Sequence, residues 1–492
     1  MFASNLLLLL AIILPLASLL LALRPDWQQA YRYCLPVLPL PALLAGLTLG
    51  PDASLELPGL LLGGLWGLDE LRQVFLVLTA TLWLVAGVFA VGYLKVHYLR
   101  RFCVFWALTL AGNLGLVMAQ DIASFYSFFA LMTFAGYGLV VHEGTGEANH
   151  AGRVYLAMAV VGEMAILSGL LMAAQQAGSG LLADLPAAVA EADRRWLIML
   201  LLLSGFGVKA GLPLLHFWLP LAHPVAPTPA SAVLSGAMIK AGLLGWLVTL
   251  PFGEVSLPGW GNALVILGAV GSLGGAVLGV RQRRPKTVLA YSSISQMGLM
   301  TLMVGAALAN AEYAGPLFAV MALYVLHHGL AKGSLFLSTA MALPAGRGGQ
   351  WLLWLLIALP GLSLAGLPFT SGAASKLAMK DLLKPGNFEF AMAPYLPMLM
   401  SAGAVATMLL VWRFLWVQRA AASGGSNPAF MCLGWGLATA GSLVLFWWLP
   451  WPGAVPDKAW LATMVHEAWS LFWPVLLATV IAAVACRSVK QR

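Results

Sequence analysis

An all-α polytopic membrane fold of about 14–15 transmembrane helices, with two inverted five-helix repeats that each contain a broken helix, is what this sequence predicts. Three observations carry that prediction. Hydrophobic residues make up 61% of the chain and charged residues 9%, a balance suited to lipid rather than water. Apolar windows long enough to span a bilayer recur from one end to the other. Two of them are interrupted alike by glycine and proline beside a lysine: Gly211 and Pro213 follow Lys209, and Gly366, Pro368 and Gly372 precede Lys376.

In chain order the windows fall near residues 5–23, 34–50, 73–94, 103–119, 122–141, 155–175, 195–213, 229–250, 261–280, 287–309, 315–342, 351–379, 396–418, 428–450 and 468–486. The first is apolar from Leu6 to Leu23 without a small-residue cleavage site before a soluble domain, so it reads as a retained helix rather than a signal peptide. The longest polar connections, near 51–72, 176–194, 380–395 and 451–467, are too short to fold alone, which leaves one membrane domain. Its expected parts are N-terminal helices (1–102), a first repeat (103–250), a second (251–418) and C-terminal helices (419–492). An odd number of spans per repeat makes the two inverted.

Basic residues orient the chain. With the N-terminus outside, Arg24, Arg32, Lys95, Arg100, Arg101, Arg153, Arg281, Arg283, Arg284, Lys286, Arg347, Arg413, Arg419, Arg487, Lys490 and Arg492 fall on the cytoplasmic side. Only Arg72, Arg194, Arg195, Lys380, Lys384 and Lys458 fall outside, so the positive-inside rule favours this threading in a bacterial-type inner membrane. The same asymmetry accounts for the net charge of +8 without nucleic acid, since no basic run sits on a polar domain able to bind it.

Several chemistries are excluded. Cys34, Cys103, Cys432 and Cys486 lack Cys-x-x-Cys spacing, which argues against iron–sulfur, haem or structural zinc sites. No glycine-rich phosphate loop is present, which argues against nicotinamide, flavin or ATP. The expectation is a chain with no cofactor, no metal and no catalytic chemistry of its own.

What remains is a set of ionisable residues inside apolar windows. Lys209, Lys240, Lys332 and Lys376 lie on four different spans, and an ammonium at bilayer depth costs roughly 2.5–3.5 kcal/mol even on insertion scales. A single lysine near a span end can snorkel to the headgroups; four, two of them deep in their windows, point to a proton or cation path. His328 stands one turn before Lys332 and on its face, next to His327, where imidazole can relay a proton; the alternative is a pair of core histidines bonded to carbonyls. Glu163 is the one carboxylate well inside a window and must be paired, with Lys209 as the natural partner, or protonated and bonded to a neighbour. His216 and His223, in the proline-rich run after Lys209, are accessory candidates.

Taken together, these residues resemble the antiporter-like subunits of respiratory complex I and of Mrp-type multisubunit cation/proton antiporters. The likeness is carried by Lys209 through Pro213-Leu214-Leu215-His216-Phe217-Trp218-Leu219-Pro220, by Lys240 after Ala226-Pro227-Thr228-Pro229-Ala230-Ser231, and by Leu289-Ala290-Tyr291-Ser292-Ser293-Ile294-Ser295-Gln296-Met297-Gly298. His328 with Lys332, and Gly366-Leu367-Pro368 through Lys376, complete it. The resemblance implies 14 helices, with Lys209 as the switch lysine of the first half-channel, Lys240, His328 and Lys332 as a connecting axis, and Lys376 as the exit lysine. Two positions depart from the family pattern: Ala130 stands where a glutamate partner of the helix-seven lysine is usual, and Leu221 where aspartate is common. Glu163 is therefore expected to take over as partner of Lys209.

Three function classes follow. The first is a proton-translocating subunit of a multisubunit redox or cation/proton antiporter complex, with other membrane subunits as partners and either H+ or Na+ as the ion. The second is the energising subunit of a DAB-type inorganic-carbon accumulation complex, with a large soluble zinc-containing partner. The third is a non-conducting scaffold, made plausible by Ala130.

Overall fold

The computed structural model describes residues 2–95, 98–384, 386–448 and 465–490. Lys458, Arg492 and residues 451–464 of the last predicted loop lie outside the described residues.

Nearly every apolar window returns as helix. In order these are α1 (Phe2–Ser18), the short α2 (Gln28–Cys34) and α3 (Leu40–Thr48), then α4 (Glu70–Tyr93), α5 (Leu99–Met118), α6 (Ile122–Val140) and α7 (Gly146–Ala177). After α8 (Leu185–Glu191) come α9 (Arg195–Ala210), α10 (Trp218–Val225), α11 (Thr228–Val233) and α12 (Lys240–Thr249), the last two joined by a π-helical turn over Leu234–Met238. Then follow α13 (Pro258–Val280), α14 (Pro285–Ala309), α15 (Ala314–Ser338), α16 (Arg347–Ala365), α17 (Ser371–Leu382), α18 (Leu396–Ala421), α19 (Ala429–Trp448) and α20 (Ala468–Lys490).

Among the described residues, 11 helices are long and apolar enough to cross a membrane. The larger number of predicted spans is made up by the shorter apolar helices α19 and α20 and by two windows that fall short: 34–50 holds only the end of α2 and the short α3, and 195–213 ends early at Ala210.

Helix ends follow local chemistry. Asp121 accepts from the Ser124 backbone N–H at 2.7 Å to start α6, Thr145 from Ala148 at 3.1 Å to start α7, and Thr370 from Ala373 at 3.3 Å to start α17. The connection 51–72 contains a feature the sequence reading lacked, an antiparallel hairpin of β1 (Ser54–Leu57) and β2 (Gly64–Gly67). Asp121 ties it down by accepting the Leu65 N–H at 2.8 Å, and the Arg72 Nε donates to the Ala119 carbonyl at 3.3 Å.

Two compact units emerge, Met1–Glu254 with Pro428–Ala438, and Val255–Asn427 with Thr439–Arg492. In lipid the hydrophobic effect does not drive helices together, so close backbone approach must supply the attraction. Glycines provide it within each unit. In the first, a Cβ on Gly205 of α9 would lie 2.8 Å from the Ile166 nitrogen and 2.9 Å from the Gly162 carbonyl oxygen of α7. In the second, α13 presents Gly261, Gly268 and Gly275 to α14, and a Cβ on Gly268 would lie 2.6 Å from both the Gly298 oxygen and the Leu302 nitrogen. Gly268→Ala is therefore expected to destabilise the second unit by roughly 1–3 kcal/mol, read as a lowered unfolding midpoint in detergent. Gly274→Ala, on the same helix with nothing within 4 Å, should be neutral or slightly stabilising.

Candidate functional site

In the first unit α9 ends abruptly, and the reason is Gly211. At φ 76° it adopts the left-handed conformation that closes a helix, and the Gly211 and Leu212 N–H groups both turn back to the Gly207 carbonyl, at 2.9 and 3.0 Å. Pro213 cannot continue the helix. The termination strands carbonyls, and Trp218 from α10 satisfies one of them by donating its indole N–H to Val208 at 2.8 Å. The break thereby fixes the position of Lys209, in the last turn of α9.

The Lys209 ammonium is buried in a cradle of aromatic and hydroxyl groups. Its Nζ donates to the Thr133 Oγ1 at 3.2 Å and to the Tyr155 hydroxyl at 3.4 Å. It lies 6.0, 5.6 and 5.9 Å from the ring centres of Phe129, Tyr155 and Trp218, close enough for cation–π attraction. Tyr155 is itself oriented by donating to the Thr133 carbonyl at 2.8 Å and by edge-on packing against Trp218.

Glu163 and Lys209 line one cavity of about 20 Å³ together with Thr133, Tyr155 and Trp218, room for about one water. The sequence offers two expectations for Glu163, an ion pair with Lys209 or a protonated carboxyl bonded to a neighbour. The structure instead puts the Lys209 ammonium on Thr133 and Tyr155, and both buried Glu163 oxygens are without a hydrogen-bond partner among the described residues. The reason is local: Gly162 and Gly205 bring α7 and α9 backbone to backbone beside the site, while the hydroxyls of α6 and α7 reach the amine first.

Lys240, 1% exposed, donates at 2.7 Å to the Ser235 carbonyl, five residues back along its own helix. That acceptor lies in the π-helical turn, where the ladder shifts and Ile239 bonds to Leu234 at 3.2 Å. His223 is fully buried in α10, and its carbonyl accepts from Ser231 at 3.1 Å; His216 is only partly buried and stacks on Phe217.

The second unit repeats the break with the same letters. Gly366-Leu367-Pro368-Phe369 carries left-handed residues at Gly366 (φ 93°) and Phe369 (φ 65°), as Gly211-Leu212-Pro213-Leu214 does at Gly211 and at Leu214 (φ 69°). Leu367 N–H returns to the Leu362 carbonyl at 3.0 Å, matching Leu212 to Gly207. Here the lysine follows the break. Lys376 on α17 lies back over Gly366, where a Cβ would come 3.0 Å from its Cδ, and its buried Nζ has no acceptor among the described residues. Gly372 has no room for a side chain, because a Cβ would fall on the Ser363 carbonyl and lie 2.9 Å from the His327 Nε2.

His327, His328 and Lys332 share α15, as the spacing predicts. Lys332 is fully buried and donates to the Leu289 carbonyl of α14 at 2.9 Å. The His327 Nδ1 is 2.8 Å from the Ser371 Oγ at the start of α17. Tyr324, one turn before His328, stacks near both histidines and donates to the Gln296 side-chain oxygen, whose amide nitrogen donates to Thr407 at 2.7 Å. Among the described residues no three metal-ligating groups cluster.

The transmembrane family of NADH:quinone oxidoreductases and Mrp antiporters matches residues 119–409. The chain belongs to this family. All four buried lysines, Glu163 and the α15 histidines fall inside the matched stretch. Hydrogenase-4 component B of Escherichia coli (strain K12) is 29% identical over 281 residues, covering 55% of this chain and 42% of that protein. A Na(+)/H(+) antiporter subunit of Alkalihalophilus pseudofirmus is 29% identical over 298 residues, covering 56% of this chain and 58% of that protein. The chain thus spans about half the length of these two relatives. A chain of the Mrp complex from Dietzia sp. DQ12-45-1b shares the fold, with a TM-score of 0.72 at 20% identity over 87% of this chain and 82% of that one.

Within this antiporter-family membrane protein, sequence reasoning missed Thr133 and Tyr155 at Lys209 and Tyr324 beside the α15 histidines, and gave Gln296 no partner. Hydroxyls and amides on apolar helices are common, and only the fold shows which face a lysine. Removing both Lys209 acceptors, by Thr133→Val with Tyr155→Phe, is expected to destabilise the first unit by roughly 1.5–3 kcal/mol per lost bond. Adding Lys209→Met should recover much of that loss, since no buried ammonium then remains; the unfolding midpoint in detergent reads both effects.

Proposed function

We propose that this chain translocates protons as the antiporter-like subunit of a multisubunit complex, through its buried lysines, histidines and glutamate. The observation that carries the reading is the exposure of Lys209, Lys240, Lys332 and Lys376, at 5%, 1%, 0% and 7%. Burying four amines is costly, and each sits beside a helix interruption, a shared carbonyl or a water-sized cavity, the settings in which a proton can be held and passed on. Lysine exchanges one proton for a free electron pair, whereas a metal cation needs several oxygen ligands. That difference favours H+ over Na+.

In the first unit Glu163 takes the part of the glutamate missing at Ala130. Its carboxylate faces the cavity that Lys209 lines, so it acts across the space of one water rather than through a contact pair. Proton arrival at Glu163 weakens its attraction for the ammonium and frees Lys209 to pass its proton on. In the second unit His328 and Lys332 supply the relay on α15, and Lys376 supplies the exit.

The paired Gly-Leu-Pro breaks support the division into half-channels 103–250 and 251–418, flanked by helices 1–102 and 419–492. The excess of arginine and lysine on alternate loops supports an N-terminus outside a bacterial-type cytoplasmic membrane. The partners proposed are further membrane subunits. Identifying the proteins that co-purify distinguishes a redox module, a cation antiporter set and a soluble zinc-containing subunit.

The test is proton flux through membrane vesicles carrying the assembled complex, followed with a pH-sensitive dye. Lys209→Ala and Lys376→Ala should each lower flux by roughly tenfold or more at unchanged assembly, and Glu163→Gln by a smaller factor. Undiminished flux in both lysine variants overturns the reading.

A further inference from the structure

We propose that the ion pair of Lys380 and Glu467 is the outer gate of the Lys376 cavity, and that Glu467 is the carboxylate that receives the proton leaving Lys376. This rests on the proton-translocating reading above, and no residue of that reading lies beyond Lys376 on the exit side.

The cavity, of about 40 Å³, is lined by Gly366, Lys376, Lys380, Ser401, Ser470 and Pro474 among others. It has room for a few waters. Its buried end holds the Lys376 Nζ, which has no acceptor among the described residues and is the polar group there still to be satisfied. Lys380 follows Lys376 by one helical turn and so shares its face of α17. Its side chain is 40% exposed, and its Nζ lies 4.0 Å from the Glu467 Oε2, itself 41% exposed at the start of α20. The neighbouring carboxylate on α17, Asp381, is engaged by Lys384, which leaves Glu467 as the partner of Lys380. Pro474 adds to the polarity of the wall, because it has no N–H to give to the Ser470 carbonyl four residues before it.

Electrostatics gives the arrangement a direction. Two lysines one turn apart repel when both are charged, so the Lys376 ammonium is tolerated best while Glu467 neutralises Lys380. When a proton leaves Lys376, an N–H bond breaks and a neutral amine remains. Carried across the cavity water, the proton forms an O–H bond on Glu467 and discharges the carboxylate. Lys380 then loses its partner and stands as an uncompensated cation one turn from the amine, which opposes return of the proton. Release of the proton from Glu467 to outside water restores the carboxylate and re-forms the pair. A half-exposed pair is weak enough to open and close on each cycle.

The experiment uses the full chain in its native complex, with Cys34, Cys103, Cys432 and Cys486 replaced by serine and Ser401→Cys as the reporter of cavity access. Labelling by a membrane-impermeant charged methanethiosulfonate from outside should be slow in this background and about fivefold faster with Glu467→Gln or with Lys380→Gln. Exchanging the charges, Lys380→Glu with Glu467→Lys, should return it to the slow rate. Ser470→Cys is a second reporter should Ser401→Cys fail to assemble. Labelling rates indifferent to both neutralising variants overturn the gate, and an undiminished proton flux in Glu467→Gln overturns its role as acceptor. Either failure leaves the translocation reading intact if Lys209→Ala and Lys376→Ala still lower flux by roughly tenfold or more, whereas undiminished flux in those two sinks that reading itself.

Discussion

A lysine placed at bilayer depth needs oxygen acceptors, and an unbroken helix offers few, because its carbonyls are already bonded to its own N–H groups. The rest of this structure depends on how that conflict is met. Lys240 meets it with a π-helical turn, which shifts the ladder and lets the Ser235 carbonyl take the ammonium at 2.7 Å. Lys332 meets it by reaching to a second helix, where the Leu289 carbonyl also accepts the Ser293 hydroxyl at 3.0 Å. Lys209 uses side chains, Thr133 and Tyr155, with three aromatic faces around them. Lys376 has only the cavity. The four amines are thus held by four different means, and Lys376 is the one with least protein support.

Such settings survive only if the helices around them do not shift. A donor and an acceptor about 3 Å apart lose most of their attraction with a displacement of an ångström. The glycines supply the rigidity: Gly162 and Gly205 lock α7 to α9 within a turn of Glu163 and Lys209, and Gly242 sets α12 against α9, where a Cβ would come 2.5 Å from the Phe206 oxygen. In the second unit Gly372 lets α17 and the end of α16 close on the His327 ring. The residues that carry charge and the residues with no side chain are therefore two halves of one design, and substituting the second kind would misplace the first.

Much of this was legible in the sequence. The apolar windows recur as helices whose ends move by a few residues, because lipid imposes a length and a polarity that composition reports directly. Lys209, Lys240, Lys332 and Lys376 were visible for the same reason, since a charge in an apolar window is conspicuous. What stayed hidden was whatever depends on three-dimensional neighbours. Thr133 and Tyr155 are ordinary residues of apolar helices until the fold turns them toward Lys209. The π-helical turn over Leu234–Met238 has no clear letter pattern, and the hairpin at Ser54–Leu57 and Gly64–Gly67 is too short for periodicity to register. For Glu163 and Lys209 the sequence shows only that both lie inside apolar windows; packing is what brings them to one cavity and puts hydroxyls on the amine.

The two Gly-Leu-Pro breaks show how one backbone device can present a lysine in two opposite settings. Each closes a helix with a left-handed glycine, prevents its continuation with proline and returns two N–H groups to late carbonyls. Lys209 comes before its break, in the last turn of α9, where the unsatisfied carbonyl end of the helix favours a positive charge. Lys376 comes after its break, in the second turn of α17, where the N–H end of that helix disfavours one and the carbonyl end of α16, under its side chain at Gly366, offsets the penalty. The first lysine therefore lies with the dipole of its helix and the second against that of its own. The sequence creates that difference by moving a lysine from one side of Gly-Leu-Pro to the other.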